Sequence, residues 1–222
     1  MNADTWLVVP LYNEATVVRE VILEARKTFQ NIVCVDDGSR DNSVEEALAG
    51  GAVVVSHPIN LGQGAALQTG IDFALLQPGA EYFVTFDSDG QHRTEDAQLM
   101  VERLRNEPLD IVIGSRFLDD RTNASKLKKA VLRLAVLFER ITTGVKLTDA
   151  HNGLRALNRH AATAIRIRQN RMAHASEIVG LIGAKKLRYD EQAVQIIYTD
   201  YSRAKGQSLW NSVNILSELF IK

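Results

Sequence analysis

The sequence has one cysteine, four prolines and little aromatic character (6%), and its 26 basic residues face 27 acidic ones. A single cysteine cannot close an intrachain disulfide, and Cys34 lies inside the apolar run Ile32-Val33-Cys34-Val35, which marks it as a core residue, not a nucleophile. A formal net charge of −1 excludes a globally basic nucleic-acid binder, so no nucleic acid is expected among the partners. No apolar run approaches the roughly 18–20 residues that cross a bilayer. Residues Met1 to Thr5 lack the basic-then-apolar pattern of a signal peptide, which makes the cytoplasm the expected location. His57, His92, His151, His160 and His174 form no H-x-x-x-H pair and there is no C-x-x-C, so a zinc site is not expected.

What is present is the composition of an ordinary globular domain: 222 residues, 45% apolar and 24% charged. Short β-rich runs at Trp6–Val9, Asn31–Val35, Ala52–Ser56, Tyr82–Phe86 and Asp110–Gly114 alternate with helical patterns, best seen at Ala15–Phe29 and Thr94–Asn106. That rhythm predicts an α/β fold with a mainly parallel sheet flanked by helices. After about Phe117 the rhythm changes to a polar loop, Asp119 to Asn123, and then a basic helical pattern over Ser125–Thr143. A late strand is expected at Val194–Thr199. The chain therefore reads as one domain, 1–222, with a strand-rich part at 1–117 and a helical part at 118–222.

In such sheets ligands bind beyond the carboxyl ends of the strands, and here each of the first four strands runs into a polar loop. The sharpest is Asp87-Ser88-Asp89 followed by Gln91, because two carboxylates at a strand end can aim at one hard divalent cation that also grips a diphosphate. Taken alone, the same residues also read as a turn and a cap for the helix near Thr94. Asp36-Asp37-Gly38-Ser39 offers acids to a base and ribose, and is equally a turn. Gly62-Gln63-Gly64 permits close backbone approach but matches neither a P-loop nor a dinucleotide fingerprint.

The ordered set Pro10-x-Tyr12-Asn13-Glu14, Asp36-Asp37-Gly38-Ser39, Asn60-Leu61-Gly62-x-Gly64, Asp87-x-Asp89, Gly114-Ser115-Arg116, Asn152-Gly153-Leu154-Arg155 and Arg203-x-x-Gly206-x-Ser208 resembles family-2 glycosyltransferases. Within that family it is most similar to the polyprenyl-phosphate (dolichol-phosphate) mannose and glucose synthases. The resemblance implies a GT-A fold with a nucleotide-sugar-binding sheet and an acceptor-side lobe. It implies that Pro10, Tyr12, Glu14 and Asp37, with Asp36 beside them, hold the nucleoside. Asp87, Ser88, Asp89 and Gln91 would surround Mg²⁺ or Mn²⁺ and the sugar diphosphate, and Arg116, Arg155 and Arg203 match arginines placed around phosphates. Asp149 would sit near the reacting sugar, making Asp89, Asp149 and Arg155 the expected catalytic set. The segment Asp149 to Arg155 departs mildly from the family's D-x-x-S-G-F-R, with Asn152 for Ser and Leu154 for Phe. Leu209 stands where those synthases often carry lysine after Ser208, so a diphosphate contact is either lost or supplied by Lys205.

Other readings of single residues stay open: Arg116 as a surface partner of Asp119 or Asp120, Arg203 as part of a solvated loop, Glu177 as a helix cap or pairing group. The implied reaction is inverting transfer of a hexose from a nucleotide sugar of the GDP-mannose or UDP-glucose type to a polyprenyl phosphate. A hydroxyl acceptor needs a carboxylate base, whereas a phosphate is already ionised. The Glu-Asp pair and Q-x-x-R-W run of polysaccharide-building members are not found beyond residue 117; Gln169-Asn170-Arg171 does not match, and Asp190-Glu191 has the reverse order. Transfer to a sugar or protein hydroxyl, or a non-catalytic nucleotide-sugar-binding subunit, are the alternatives. The basic segment 125–143 and the stripe Leu209, Trp210, Val213, Leu216, Leu219 and Phe220 fit either a peripheral membrane surface or packing on the domain, a membrane partner protein or a homodimer.

Overall fold

In the computed structural model, residues 2–118 and 144–197 are described. The strands are β1 (Asn2–Leu11), β2 (Phe29–Asp36), β3 (Val53–Ser56), β4 (Tyr82–Thr85), β5 (Ile111–Ser115), β6 (Arg155–Asn158) and β7 (Tyr189–Ala193). The helices are α1 (Val18–Ala25), α2 (Ser43–Gly50), α3 (Gln63–Leu75), α4 (Thr94–Asn106), α5 (Arg159–Ala164) and α6 (His174–Ala184). The strands form one sheet in the order β3-β2-β1-β4-β6-β5-β7, with β6 antiparallel to both of its neighbours and the other pairings parallel.

Side chains alternate across a strand, so a sheet covered on both sides needs strands apolar on both faces. β1 and β2 have that pattern. Leu7, Val9 and Leu11 with Ile32 and Cys34 pack against α1, α2 and α4 through Val18, Ile22, Ala47, Met100 and Val101. Val8, Val33 and Val35 face the opposite layer, where Leu67 and Ile71 of α3, Ala161 and Ala162 of α5, and Ile178 and Ile182 of α6 meet them. α3 lies so close to the sheet that a Cβ on Gly70 would sit 2.4 Å from Val8 Cγ1. Cys34 is fully buried and burial pushes its thiol up to about 12, so it is a core residue as expected.

β1 has β2 on one side and β4 on the other, so the connections leaving β1 and β4 diverge. This reversal of strand order opens a crevice at the carboxyl ends of the two strands. The main-chain bond from Phe86 N–H to Val8 O (3.0 Å) sets the DxD segment directly beside the end of β1.

Two expectations require correction, and one strand is additional. Phe29 does not close a helix that begins at Ala15: α1 ends at Ala25, and Phe29, wholly buried, opens β2. The late strand lies at Tyr189–Ala193 and not at Val194–Thr199; Val194 follows it, and Gln195 and Ile197 bond Asp96 and Gln91 instead of a strand. β6, which the sequence does not announce, completes the middle of the sheet. Segment 125–143, Arg203 and the stripe Leu209–Phe220 lie outside the described residues.

Candidate functional site: a carboxylate crevice at the ends of β1 and β4

The loop after β1 is bound to the loop after β2. Asn13, with φ of 54°, donates its N–H to Ser39 Oγ (3.0 Å), and its Oδ1 accepts from Arg40 N–H (2.8 Å). Glu14 is buried, and its N–H donates to Ser43 Oγ (2.7 Å). Pro10 is buried in β1, whereas Tyr12 is 42% exposed at the rim. Asp36 turns back to accept from Ser39 N–H (3.1 Å).

Asp37, only 3% exposed, is the most heavily bonded acid of this group. Its carboxylate accepts from the N–H groups of Leu61 (2.8 Å) and Gly62 (2.7 Å), and it bonds His57 Nδ1 (2.8 Å). It thereby pins the β3–α3 loop over the end of β2. The tight fit also involves Gly38, at φ +76°, where a Cβ would lie 3.0 Å from the main chain of Ile59 and Asn60.

Asp87 lies across the crevice. Its Oδ1 accepts from Gln63 Nε2 (3.2 Å), the first residue of α3, and its Oδ2 bonds His92 Nε2 (2.9 Å). Gly153 packs against the same carboxylate so closely that a Cβ there would fall 2.3 Å from Oδ2. Arg155, 2% exposed, lies below it and reaches Ala150 O through Nη2 (3.3 Å). Burial opposes ionisation of Asp87, but His92 and Arg155 more than offset it and hold the carboxyl below its ordinary pKa.

Asp89 behaves in the opposite way. Burial raises its pKa, and the charge of Asp87 and of Glu14 across the crevice adds to the rise. Its Oδ1 accepts from Gln91 N–H (3.0 Å), the turn anticipated for this segment. The capping role does not appear: α4 starts after Arg93, and no side chain caps it. Ser88 is buried between the two acids.

The segment Asp149 to Arg155 builds the floor. Asn152 Oδ1 accepts from Leu154 N–H (2.9 Å), Leu154 fills the core, and Thr85 Oγ1 donates to Gly153 O (2.6 Å). Asp149, 1% exposed, receives Arg116 in a two-pronged pair, Nε to Oδ2 (2.6 Å) and Nη2 to Oδ1 (2.8 Å). Burial works against its charge, but Arg116 holds the carboxyl below the ordinary range. Arg116 and Asp149, expected at the phosphates and at the sugar, are thus joined to each other. Glu191 accepts from Thr148 N–H (2.8 Å), Thr148 Oγ1 (2.9 Å) and Asp149 N–H (3.1 Å), fixing this floor to β7.

Several contacts at the site were not anticipated. His92, which the sequence presents only as a possible zinc ligand, stands five residues past Asp87 and bonds it; its Nδ1 is buried with no hydrogen-bond partner among the described residues. Gly62 and Gly64 do permit close approach, but of the protein's own main chain. Asn170 O accepts from Gly64 N–H (2.8 Å), and a Cβ on Gly62 would lie 2.3 Å from the same oxygen. Glu177 is a main-chain anchor: its Oε2 accepts from Arg168 N–H (2.9 Å) and Gln169 N–H (2.8 Å).

The carboxylate pair fits a divalent cation. Asp87 and Asp89 lie near enough for like charge to raise Asp89, a repulsion that a bound cation removes. Among the described residues no third His, Cys, Asp or Glu completes a cluster, so remaining ligands would come from a bound diphosphate, water or Gln91.

Comparison with known proteins agrees with this geometry. The chain is 34% identical to an uncharacterized protein of Methanocaldococcus jannaschii over 99% of this chain and 92% of that one. It is 29% identical to the UDP-N-acetylglucosamine–dolichyl-phosphate N-acetylglucosaminyltransferase of Methanococcus voltae, over 97% of this chain and 94% of that enzyme. The structure of glucosyl-3-phosphoglycerate synthase from Mycobacterium tuberculosis, in complex with Mn²⁺, UDP-glucose and phosphoglyceric acid, superimposes with a TM-score of 0.71 at 19% identity, over 98% of this chain and 79% of that one. The family described as "Glycosyl transferase family 2" matches residues 6–166. With its sheet, its switch-point crevice and this match, the chain belongs to glycosyl transferase family 2 and has the GT-A fold.

Proposed function

We propose that this protein transfers a hexose, with inversion, from a nucleotide sugar of the GDP-mannose or UDP-glucose type to a polyprenyl phosphate. Pro10, Tyr12, Glu14 and the Asp36–Asp37 turn line the nucleoside side. Asp87, Asp89 and Gln91 hold Mg²⁺ or Mn²⁺ against the diphosphate; when bound, the ion neutralises charge that builds on the leaving nucleoside diphosphate. The chain's own residues prepare that place. His92, Gln63 and Gly153 fix the Asp87 carboxylate from three directions, and His92 with Arg155 keeps it ionised against burial.

The observation that carries the choice of acceptor is the state of Asp149. A hydroxyl acceptor requires a carboxylate free to take its proton. Asp149, the acid assigned nearest the sugar, is clamped by Arg116, which holds its carboxyl below the ordinary range against burial and makes it a poor base. Asp190 and Glu191 are bonded to Arg103 and to the main chain of Thr148 and Asp149. An acceptor phosphate, already anionic, needs no such base. The Methanococcus voltae relative, named for a dolichyl-phosphate acceptor, supports the same reading.

The test is product analysis with a nucleotide sugar, Mn²⁺ and either undecaprenyl phosphate or undecaprenol. Release of nucleoside diphosphate with formation of a glycosyl phospholipid only in the phosphate arm is expected. Equal release with undecaprenol, or none in either arm, would refute the acceptor assignment.

A further inference from the structure

Among the described residues, the arginines assigned to phosphates from sequence are already engaged by the protein itself. Arg116 is committed to Asp149, Arg155 is buried below Asp87, and Arg203 is outside the described residues. A different pair of arginines lies on the segment that packs against the start of α3.

Residues 165–172 read Ile-Arg-Ile-Arg-Gln-Asn-Arg-Met, with Ile165 and Ile167 buried and Arg166, Arg168 and Arg171 exposed. The main chain of this segment is held firmly. Ile167 N–H donates to Gln68 Oε1 (2.7 Å), Glu177 accepts from the next two N–H groups, and Asn170 O accepts from Gly64 N–H. His174, kept neutral because burial and Arg155 push its pKa down to about 4, donates from Nδ1 to Arg171 O (2.8 Å). Such a segment is a platform for the side chains it carries.

The Arg171 stem crosses Gly62: a Cβ built on that glycine would lie 3.1 Å from Arg171 Cγ. Gly62 N–H is bonded to Asp37, and the next residue, Gln63, reaches Asp87. Arg171 therefore stands over the strip of chain that connects the two acidic sides of the crevice. Arg166 is paired with Asp72, whereas Arg168 and Arg171 pair with no acid among the described residues. Exposed apolar side chains flank this crossing in the sequence: Leu61 (38%) precedes Gly62 and Met172 (46%) follows Arg171.

We infer that Arg168 and Arg171, with Leu61 and Met172, form a binding site for a phosphate monoester attached to a long apolar tail. Arginine binds phosphate through paired charged hydrogen bonds, and the adjoining apolar rim accepts the first units of the tail. The main chain of Asn170 already occupies the start of α3, so the arginine side chains, not the helix end, supply the anion contacts. This inference rests on the acceptor reading above and assigns it a place in the fold.

The experiment compares the full chain with the double variant Arg168→Ala/Arg171→Ala and with Arg166→Ala, a control that removes an arginine of the same segment already paired with Asp72. Phosphatidylcholine vesicles containing undecaprenyl phosphate or undecaprenol are used for co-sedimentation, and a nucleoside diphosphate with Mn²⁺ is used for calorimetric titration. The double variant should lose about tenfold or more in retention by the phosphate vesicles. Its nucleoside-diphosphate affinity should be unchanged, and the control should match wild type. The double variant Arg168→Lys/Arg171→Lys, which keeps the charge, should recover part of the loss.

Unchanged retention in the alanine variant would overturn the site, as would equal loss in Arg166→Ala or absence of wild-type retention. A loss confined to the nucleoside-diphosphate titration would place these arginines on the donor and overturn it as well. The two readings separate cleanly. Retention through Arg168 and Arg171 without glycosyl transfer sinks the acceptor reaction and keeps the site; transfer to polyprenyl phosphate with identical lipid KM in the double variant sinks the site and keeps the reaction.

Discussion

The acids after β2 and the acids after β4 look alike in sequence and face the same crevice, yet they are held in opposite ways. Asp37 is buried and accepts from two main-chain N–H groups and bonds one histidine, which makes it the fastening of a loop. Asp89 accepts from a single main-chain N–H and lies among like charges that raise its pKa. The first arrangement stabilises the fold; the second costs stability when ionised, a cost that a bound cation reverses. Asp87 stands between them, partly exposed at 30% but fixed by Gln63, His92 and the bare Cα of Gly153.

Substitutions sharpen this contrast, and the largest effect belongs to Asp89. Asp89→Asn should reduce turnover by about a thousandfold, on the scale of losing a principal electrostatic contact in the transition state. Because a raised pKa means that the ionised carboxylate opposes folding, the same variant should melt at the wild-type temperature or slightly above it. A clear fall in melting temperature would show that Asp89 is a fastening like Asp37.

Asp37→Ala should cost about 2–4 kcal/mol, because buried N–H groups of Leu61 and Gly62 lose their acceptor. Denaturant unfolding measures this directly. A loss below about 0.5 kcal/mol would remove the distinction between the two acidic loops.

Asp110 offers a smaller, pH-dependent comparison away from the crevice. It is buried, and hydrogen bonds from Arg188, with others from Asn158 and the Arg188 main chain, hold its pKa well below the ordinary carboxylate value. A depressed folded pKa contributes stability above the unfolded value of about 4, and that contribution is lost as pH falls through the folded value. The stability gap between wild type and Asp110→Asn should therefore be widest above about pH 5 and narrow towards pH 2. Urea unfolding across that range checks the sign. The smallest effect is expected at Cys34: with its thiol near 12 and no exposed surface, it should resist thiol reagents until the protein unfolds.

Much of this architecture is legible in the amino-acid pattern because β1 and β2 are apolar on both faces and α4 keeps one apolar stripe. What escapes notice has a physical reason in each case. β6 has four residues, Arg-Ala-Leu-Asn, too few for any period to show, and its leading arginine is buried for the sake of Asp87. Phe29 continues the helical spacing of α1 but belongs to β2, since an aromatic at a helix end and at a strand start leaves the same local signature. At the site, motif order places Asp36, Asp37, Asp87 and Asp89 on one crevice, whereas the pairing of Arg116 with Asp149 spans 33 residues and has no local sign. Gln169-Asn170-Arg171 matches no motif, so the sequence assigns Arg171 no role; only the packing of the 169–171 segment on Gly62 and Gly64 brings it beside the β3–α3 loop.

The central claim, that the Asp87–Asp89 pair holds a cation which in turn holds a nucleoside diphosphate, is tested most directly by thermal shift. The wild-type protein is melted with a panel of nucleoside diphosphates in Mn²⁺ and again in excess chelator, since a ligand bound only by the native state raises its melting temperature. At least one nucleoside diphosphate should raise the melting temperature in Mn²⁺ and lose that effect in chelator. Equal stabilisation with and without the metal would contradict the account.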